Sequence, residues 1–119
     1  MTAEAMALSS NVVTIDFSDP ATQTFGTEAQ RPLDSNTAMW AGNVVPDNEL
    51  KYAGPLNDRD PILVRIGGTV PTATFDGYLM EDANLDGEAK YAGPSNDRDI
   101  ILVNIGGAVP TNVRDEQLP

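Results

Sequence analysis

The chain has 119 residues, enough for one small domain or a domain with an appendage, and its net charge is −11. It contains no cysteine and no histidine, which excludes disulfides, thiolate metal sites and histidine-based catalysis. Such an acidic chain is repelled by nucleic acid and by anionic lipid, and no apolar run approaches the roughly 20 residues that span a bilayer. Nucleic acid binding and membrane insertion are therefore not expected.

The first 36 residues share nothing with the rest of the chain and are predicted to form an N-terminal β segment. The stretch NVVTIDFS alternates, with Val13, Ile15 and Phe17 on one face, which predicts a half-buried strand over Asn11–Ser18. The preceding MTAEAMALSS is either a second strand or a loosely held arm. One further short strand is expected around Thr22–Phe25.

A tandem repeat fills the remainder, with predicted units at 37–75 and 76–119. KYAGPLNDRDPILVRIGGTVPT begins at Lys51, and KYAGPSNDRDIILVNIGGAVPT begins at Lys90, with 18 of 22 positions identical. Each copy has a polar turn, a short apolar run and a Val-Pro-Thr tail. The acidic residues before the run and the Gly-Gly after it predict a helix rather than a strand.

The NDRD phrase is predicted to start each helix. With Asp58 as the N-cap, Pro61 falls in the first turn, where no backbone donor is needed. The same frame places Asp97 at the second cap. The second aspartate of each phrase, Asp60 or Asp99, then points back toward the preceding loop.

That preceding loop carries a calcium-binding pattern in the second repeat. Side-chain oxygens at alternate positions 82, 84 and 86, followed by Gly87, form the front half of a calcium loop. The next residue offers a backbone carbonyl, and a carboxylate at the helix start closes the sphere. The predicted set of this second site is Asp82, Asn84, Asp86, Glu88 through its carbonyl, Asp99, and Asp97 at the adjoining cap.

The first repeat has a degenerate version of the same loop. Val45 stands where the second loop has Asn84, and a valine side chain cannot coordinate a cation. The predicted partial set is Asn43, Asp47, Glu49 through its carbonyl, Asp60, and Asp58 at the cap. Two calcium ions are predicted, with the second site the stronger. The alternative is that these residues form ordinary turns and helix caps.

The motifs together resemble a known family. DANLDG, a bulge formed by the intervening KYAGPSN, NDRD and the apolar helix resemble the dockerin repeat. MWAGN, LKYAGPLNDRDPILVRIGG, GYLMEDANLDG and NIGGAVPTNVRDEQLP resemble a dockerin-like module at the C-terminus of large secreted and surface proteins of Bacteroidota. The resemblance implies an α+β fold, in which an N-terminal β segment precedes a tandem pair of dockerin-like calcium-loop-helix repeats. It also implies calcium and an extracellular or cell-surface location.

Two functions follow as expectations. The first is a calcium-stabilised extracellular structural module whose partner is itself, in a homo-oligomer or as a subunit of a surface fibre. The second is a dockerin-type module that anchors a larger secreted enzyme or adhesin to a cohesin-like receptor. An enzyme is not expected. Without histidine or cysteine it would need a catalytic pair of carboxylates, and every candidate pair is better explained as calcium ligands.

Overall fold

The computed structural model describes residues 1–7 and 10–115, and in that part of the chain it is a small α+β fold. It divides into two compact units, one running from Met1 to Trp40 and the other beginning at Ala41 and containing both repeats. The described elements are β1 (Arg31–Leu33), β2 (Asn36–Ala38), β3 (Glu49–Lys51), α1 (Arg59–Arg65), β4 (Thr74–Asp76), β5 (Glu88–Lys90), α2 (Asp97–Asn104) and β6 (Val113–Asp115). Neither helix is long or apolar enough to cross a membrane.

The first unit contains an antiparallel hairpin of β1 and β2. The connecting turn is short, and Asp34 adopts a left-handed φ of 47°, a conformation that aspartate tolerates better than most residues. A single antiparallel bridge joins Thr2 to Thr24. The expected strand at Thr22–Phe25 is thus reduced to one bridge, and its partner is the N-terminal stretch.

The predicted strand over Asn11–Ser18 is wrong. That segment has no regular secondary structure, and its alternating side chains Val13, Ile15 and Phe17 are all exposed. Asp16 instead organises a local turn, since its Oδ1 accepts hydrogen bonds from the N–H and the hydroxyl of Ser18 at 2.9 and 2.6 Å. Alternation alone does not make a strand when no neighbouring strand pairs with it.

The second unit is organised by two equivalent strand pairs. β4 pairs antiparallel with β5, opposing Phe75 to Ala89, and β3 pairs antiparallel with β6, opposing Leu50 to Arg114. Adding 39 to each β3 position gives the β5 position, and subtracting 39 from each β6 position gives the β4 position, in the same register. The strand of each repeat therefore pairs with the tail of the other repeat.

The two predicted helices are confirmed, and each ends at its Gly-Gly pair. Gly68 donates its N–H to the Leu63 carbonyl and Gly107 donates to the Leu102 carbonyl, both at 2.8 Å. Both glycines have positive φ angles, which side chains with a Cβ adopt only with strain. This closing geometry satisfies the last helical carbonyls, as in a Schellman motif.

A small apolar core lies between the two helices and the strands. The buried side chains are Val44, Leu50, Ile62, Ile101 and Ile105. Tyr52 and Tyr91 are partly buried and pack against this cluster. The core is small because each repeat contributes only one short helix, so additional polar bracing is required for stability.

Gly42 marks the tightest approach to this core. A Cβ at this position would lie 2.9 Å from Cγ1 of Ile101, and the residue has a φ of +105°. Gly54, at φ +96°, has no atom within 4 Å of its would-be Cβ. We expect Gly42→Ala to lower the free energy of unfolding by about 1–3 kcal/mol more than Gly54→Ala, because only the former overpacks the core. Equal losses in urea denaturation of the two variants would contradict this.

Candidate metal centre

The first aspartate of each NDRD phrase is a fully buried brace rather than an open ligand. Asp58 Oδ1 accepts the N–H groups of Val44 and Val45 at 2.8 and 2.9 Å, and its Oδ2 accepts the N–H of Lys51 at 2.7 Å. Each carboxylate oxygen is thus bonded to the backbone. The side chain ties the start of α1 to the front of the loop and to β3.

Asp97 repeats this arrangement in the second copy. Its Oδ1 accepts the N–H of Asn84 at 3.1 Å and its Oδ2 accepts the N–H of Lys90 at 2.7 Å. The carboxylate also interacts with the Ala83 backbone. Burial raises the pKa of both Asp58 and Asp97, and the backbone donors oppose that rise. These N–H groups therefore compensate for placing a carboxyl group inside the fold.

The N-cap position of α1 is Asp58, as predicted, whereas that of α2 is Asn96, one residue before the predicted Asp97. In both repeats the capping oxygen comes from the asparagine. Asn57 Oδ1 accepts the N–H of Asp60 at 2.9 Å, and Asn96 Oδ1 accepts the N–H of Asp99 at 3.0 Å. Asp58 flanks α1 but makes no side-chain cap bond, and Asp97 is the first residue of α2. The prediction that the aspartates supply the capping oxygens is therefore wrong.

The asparagines were missed although the sequence carries the signal, since asparagine is among the best N-cap residues. The amide groups of both asparagines also donate hydrogen bonds. Nδ2 of Asn96 donates to the Gly93 carbonyl at 2.7 Å and to Asp99 Oδ2 at 2.8 Å, and Asn57 makes the equivalent pair of bonds. Each asparagine thus holds the bulge, the cap and the closing aspartate together.

Two substitutions of Asn96 are expected to destabilise the fold to different extents. We expect Asn96→Ala to lower the free energy of unfolding by about 1–2 kcal/mol, because the cap acceptor and the bulge contact both disappear. Asn96→Asp retains an acceptor for the Asp99 N–H but loses the amide donor. This variant should lose less stability at low pH than at neutral pH, because at neutral pH its new carboxylate faces the carboxylate of Asp99. Urea denaturation at both pH values checks this order, and a fully stable Asn96→Ala contradicts it.

The second loop folds around oxygens of its predicted ligands. Asp82 is buried, and its carboxylate accepts the N–H groups of Asp86 and Gly87 at 3.1 and 3.0 Å. Asn84 Oδ1 also accepts the N–H of Asp86, at 2.8 Å, while its amide donates to Asp86 Oδ2 at 3.1 Å. The aspartate and amide oxygens of positions 82, 84 and 86 therefore converge on one turn.

Glu88 presents its backbone on the same side as Asp86. Gly77 donates its N–H to the Gly87 carbonyl at 2.7 Å, so the next pair, Asp76 with Glu88, does not exchange ladder hydrogen bonds. The N–H of Glu88 instead donates to Asp86 Oδ1 at 3.0 Å. Because the N–H and C=O of one strand residue point the same way, the Glu88 carbonyl is directed away from β4. Its side chain pairs with Lys90.

Three of the predicted ligands of the second site line one open cleft. The cleft has a volume of about 440 Å³ and is bounded by Asn84, Asp86, Ser95, Asn96, Asp99 and Ile100. The other predicted ligands of this site, Asp82, Glu88 and Asp97, are not among the residues that line it. The arrangement brings carboxylate and amide oxygens from the loop opposite a carboxylate from the first turn of α2. These are the hard donor atoms that calcium prefers.

The first loop is built differently around its predicted ligands. Asn43 uses its amide to donate to the Asp47 carbonyl at 2.8 Å, and Asp47 Oδ1 accepts the N–H of Glu49 at 2.8 Å. The Glu49 side chain pairs with Lys51. Val45 has no side-chain oxygen; its N–H donates to Asp58 Oδ1 at 2.9 Å, and its carbonyl accepts the N–H of Asp47 at 2.6 Å. Two side-chain oxygens of the second loop thus have no counterpart in the first: one oxygen of Asp82, which is replaced by Asn43, and the amide oxygen of Asn84, which is replaced by Val45.

The closing aspartates also differ between the repeats. Arg59 donates to Asp60 Oδ1 through Nε and Nη2 at 3.3 and 3.1 Å, whereas Arg98 Nε lies 3.7 Å from Asp99 Oδ1. Both guanidinium groups stack 5.1 Å from the ring of a tyrosine of their own repeat. Each arginine thus pairs with the aspartate that follows it, and the pairing engages Asp60 more strongly than Asp99.

Within residues 1–7 and 10–115, no three His, Cys, Asp or Glu side chains lie close enough together to hold a metal ion. The three carboxylates of the predicted second site, Asp82, Asp86 and Asp99, are therefore not gathered closely enough to hold an ion among themselves. Comparison with protein-family models, curated proteins and solved structures gives no match. The dockerin resemblance and calcium binding therefore stay predictions.

Proposed function

We propose that this chain is a calcium-stabilised extracellular structural module, built from a tandem pair of dockerin-like loop-helix repeats, that assembles with copies of itself. The observation that carries the proposal is the cleft of the second repeat, where Asn84, Asp86 and Asp99 present hard oxygens to one space. Asp82 and the Glu88 carbonyl supply the remaining donors of a calcium loop. Asp97 is left out of this ligand set because its oxygens join two separate segments, the loop at Asn84 and β5 at Lys90, whereas the backbone donors to Asp82 belong to the turn that the loop itself forms.

The net charge supports the same proposal. Two calcium ions would offset four of the eleven net negative charges of the chain. The small core gives a physical reason for such help, since domains of this size often depend on a metal. The first repeat contributes a weaker site or none, because Val45 cannot coordinate and Arg59 already engages Asp60.

A calorimetric calcium titration tests the metal. We expect the wild type to show one tighter site, Asp86→Ala to lose it, and Asp47→Ala to keep it, because Asp47 belongs to the first loop. The two variants are matched, since both remove an aspartate whose Oδ1 accepts the N–H two residues on. Calcium binding by Asp86→Ala equal to that of the wild type would argue against the assigned loop.

Assembly is tested separately by sedimentation and negative-stain microscopy of the intact chain in calcium. Oligomers or filaments are expected at high protein concentration. A monomer at every concentration, with calcium bound, would remove the assembly role and leave the metal role standing.

The anchoring function has one observation in its favour. Val64 and Val103 occupy equivalent positions on α1 and α2, and both are exposed, by 72% and 51%. A cohesin-like receptor would bury such paired apolar positions. A pull-down with Val64→Asp/Val103→Asp beside the wild type decides this, because a receptor that uses the helices is captured only by the wild type.

A further inference from the structure

The β3–β6 pairing is the place where the tandem repeat closes on itself. β4, the tail of the first repeat, pairs with β5 of the next repeat along the chain. β6 is the equivalent tail of the second repeat and has no following repeat among the described residues. It returns to β3 of the first repeat in the register that β4 uses with β5.

Nothing in this register distinguishes the chain's own β3 from the β3 of another copy. The ladder opposes Glu49 to Asp115 and Lys51 to Val113, and any copy of the chain offers the same partners. A β3 edge without β6 would leave backbone N–H and C=O groups unpaired, which makes an exposed edge a template for another strand.

The tail is also weakly committed to the closed form. β6 is three residues long, and Val113 is 48% exposed. Its central residue, Arg114, donates from Nε to the Asn104 carbonyl of α2 at 3.0 Å, a contact that an exchanged tail would make again with α2 of the second copy. Between α2 and β6 lie Gly106 and Gly107, whose positive φ angles belong to a turn that is separate from the ladder.

We propose that β6 of one copy pairs with β3 of a second copy, so that two molecules exchange the tails of their second repeats. Every strand contact of the closed monomer is then kept, and the main cost is the entropy of association. Dilute protein favours the closed form because the chain's own tail has the higher effective concentration. Concentrated protein favours the exchanged form. The proposal deepens the assembly role and rests on it for its biological meaning.

Single cysteines introduced into the cysteine-free chain test the exchange. The variants Glu49→Cys and Asp115→Cys are unfolded, mixed, refolded at high concentration and oxidised. Facing strand positions have the separation that a disulfide needs. We expect a disulfide-linked heterodimer of the two variants that exceeds the two homodimers several-fold, scored by mass on non-reducing gels.

The control mixture is Asp76→Cys with Glu88→Cys, the equivalent pair on β4 and β5. These strands are joined by a short connection, so they close within one chain and should yield far less heterodimer. Equal yields from the two mixtures, or no heterodimer above the homodimer level in the first, would overturn the exchange.

The double variant Glu49→Cys/Asp115→Cys, oxidised at high dilution, shows whether the thiols react. If this double variant forms an intramolecular disulfide but the mixture gives no heterodimer, the exchange does not occur. If the double variant forms no disulfide at all, the β3–β6 pairing on which the proposal depends is absent. Each mixture is run with calcium and with chelator. The cross-link reports strand pairing between copies, so a heterodimer that forms equally in both conditions would support the exchange and leave the calcium proposal to its own titration.

Discussion

Asp97→Ala is expected to lower the free energy of unfolding by about 3–5 kcal/mol, among the largest losses that a single substitution causes in a small domain. The carboxylate is fully buried and accepts backbone N–H groups from the loop and from β5. Alanine would leave those donors buried without acceptors. It would also disconnect α2 from the strand and the loop that Asp97 joins, so local and global stability should fall together.

Chemical denaturation of three variants checks this expectation. Asp97→Asn keeps one oxygen but turns an amide donor toward N–H groups, so it should lose about 1–3 kcal/mol. Asp76→Ala, an exposed aspartate on β4, carries the same change of charge and should be close to neutral. Asp58→Ala should match Asp97→Ala, because its three backbone bonds are equivalent. If Asp97→Ala is as stable as Asp76→Ala, the brace has been misjudged.

The helices of the two repeats could be predicted because their signals are local. An acidic start, a short apolar run and a Gly-Gly end lie within a dozen residues, and the capping geometry confirms them at Gly68 and Gly107. The residue that supplies the capping oxygen lies one position before the predicted aspartate, because asparagine and aspartate are both good caps. Pro61 adds to the difference, since α1 begins at Arg59 whereas α2, with Ile100 in that place, begins at its first aspartate.

The strands could not be predicted in the same way. Each is three residues long, and β3 finds its partner β6 more than sixty residues later in the chain. Such pairing depends on tertiary contacts that no window of sequence contains. The opposite error occurred at Val13, Ile15 and Phe17, where a convincing alternation has no partner strand among the described residues.

The candidate site was predictable in composition more than in arrangement. Asn84, Asp86 and Asp99 line one cleft although the connecting bulge lengthens the loop, because Asn84 donates from Nδ2 to the Ser95 carbonyl and from its N–H to Asp97 Oδ1. The roles of Asp58 and Asp97 were not visible, since a ligand and a buried brace require the same residue type. Only the positions of the backbone donors separate the two roles.

Calcium is expected to raise the melting temperature of the wild type strongly relative to chelator. An ion that binds the folded chain at about a hundredfold excess over its dissociation constant adds about 2.7 kcal/mol, and for a domain of this size that corresponds to roughly 10–20 °C. The cause lies in the carboxylates of the second loop. In the absence of a cation they repel one another within an already acidic chain, and an ion converts that repulsion into attraction.

Thermal melts in calcium, magnesium and chelator measure the effect. Calcium should exceed magnesium, because a loop of mixed carboxylate, amide and carbonyl donors suits the larger and less rigid coordination of calcium. Asp86→Ala should melt near the wild-type temperature in chelator and gain little from calcium, while Asp47→Ala should keep most of the gain. A wild type that melts at one temperature under all three conditions would assign the two acidic phrases to helix capping and bracing alone. The repetition of NDRD would then be explained by Asn57, Asp58, Asn96 and Asp97, whose hydrogen bonds hold each helix to its loop without any ion.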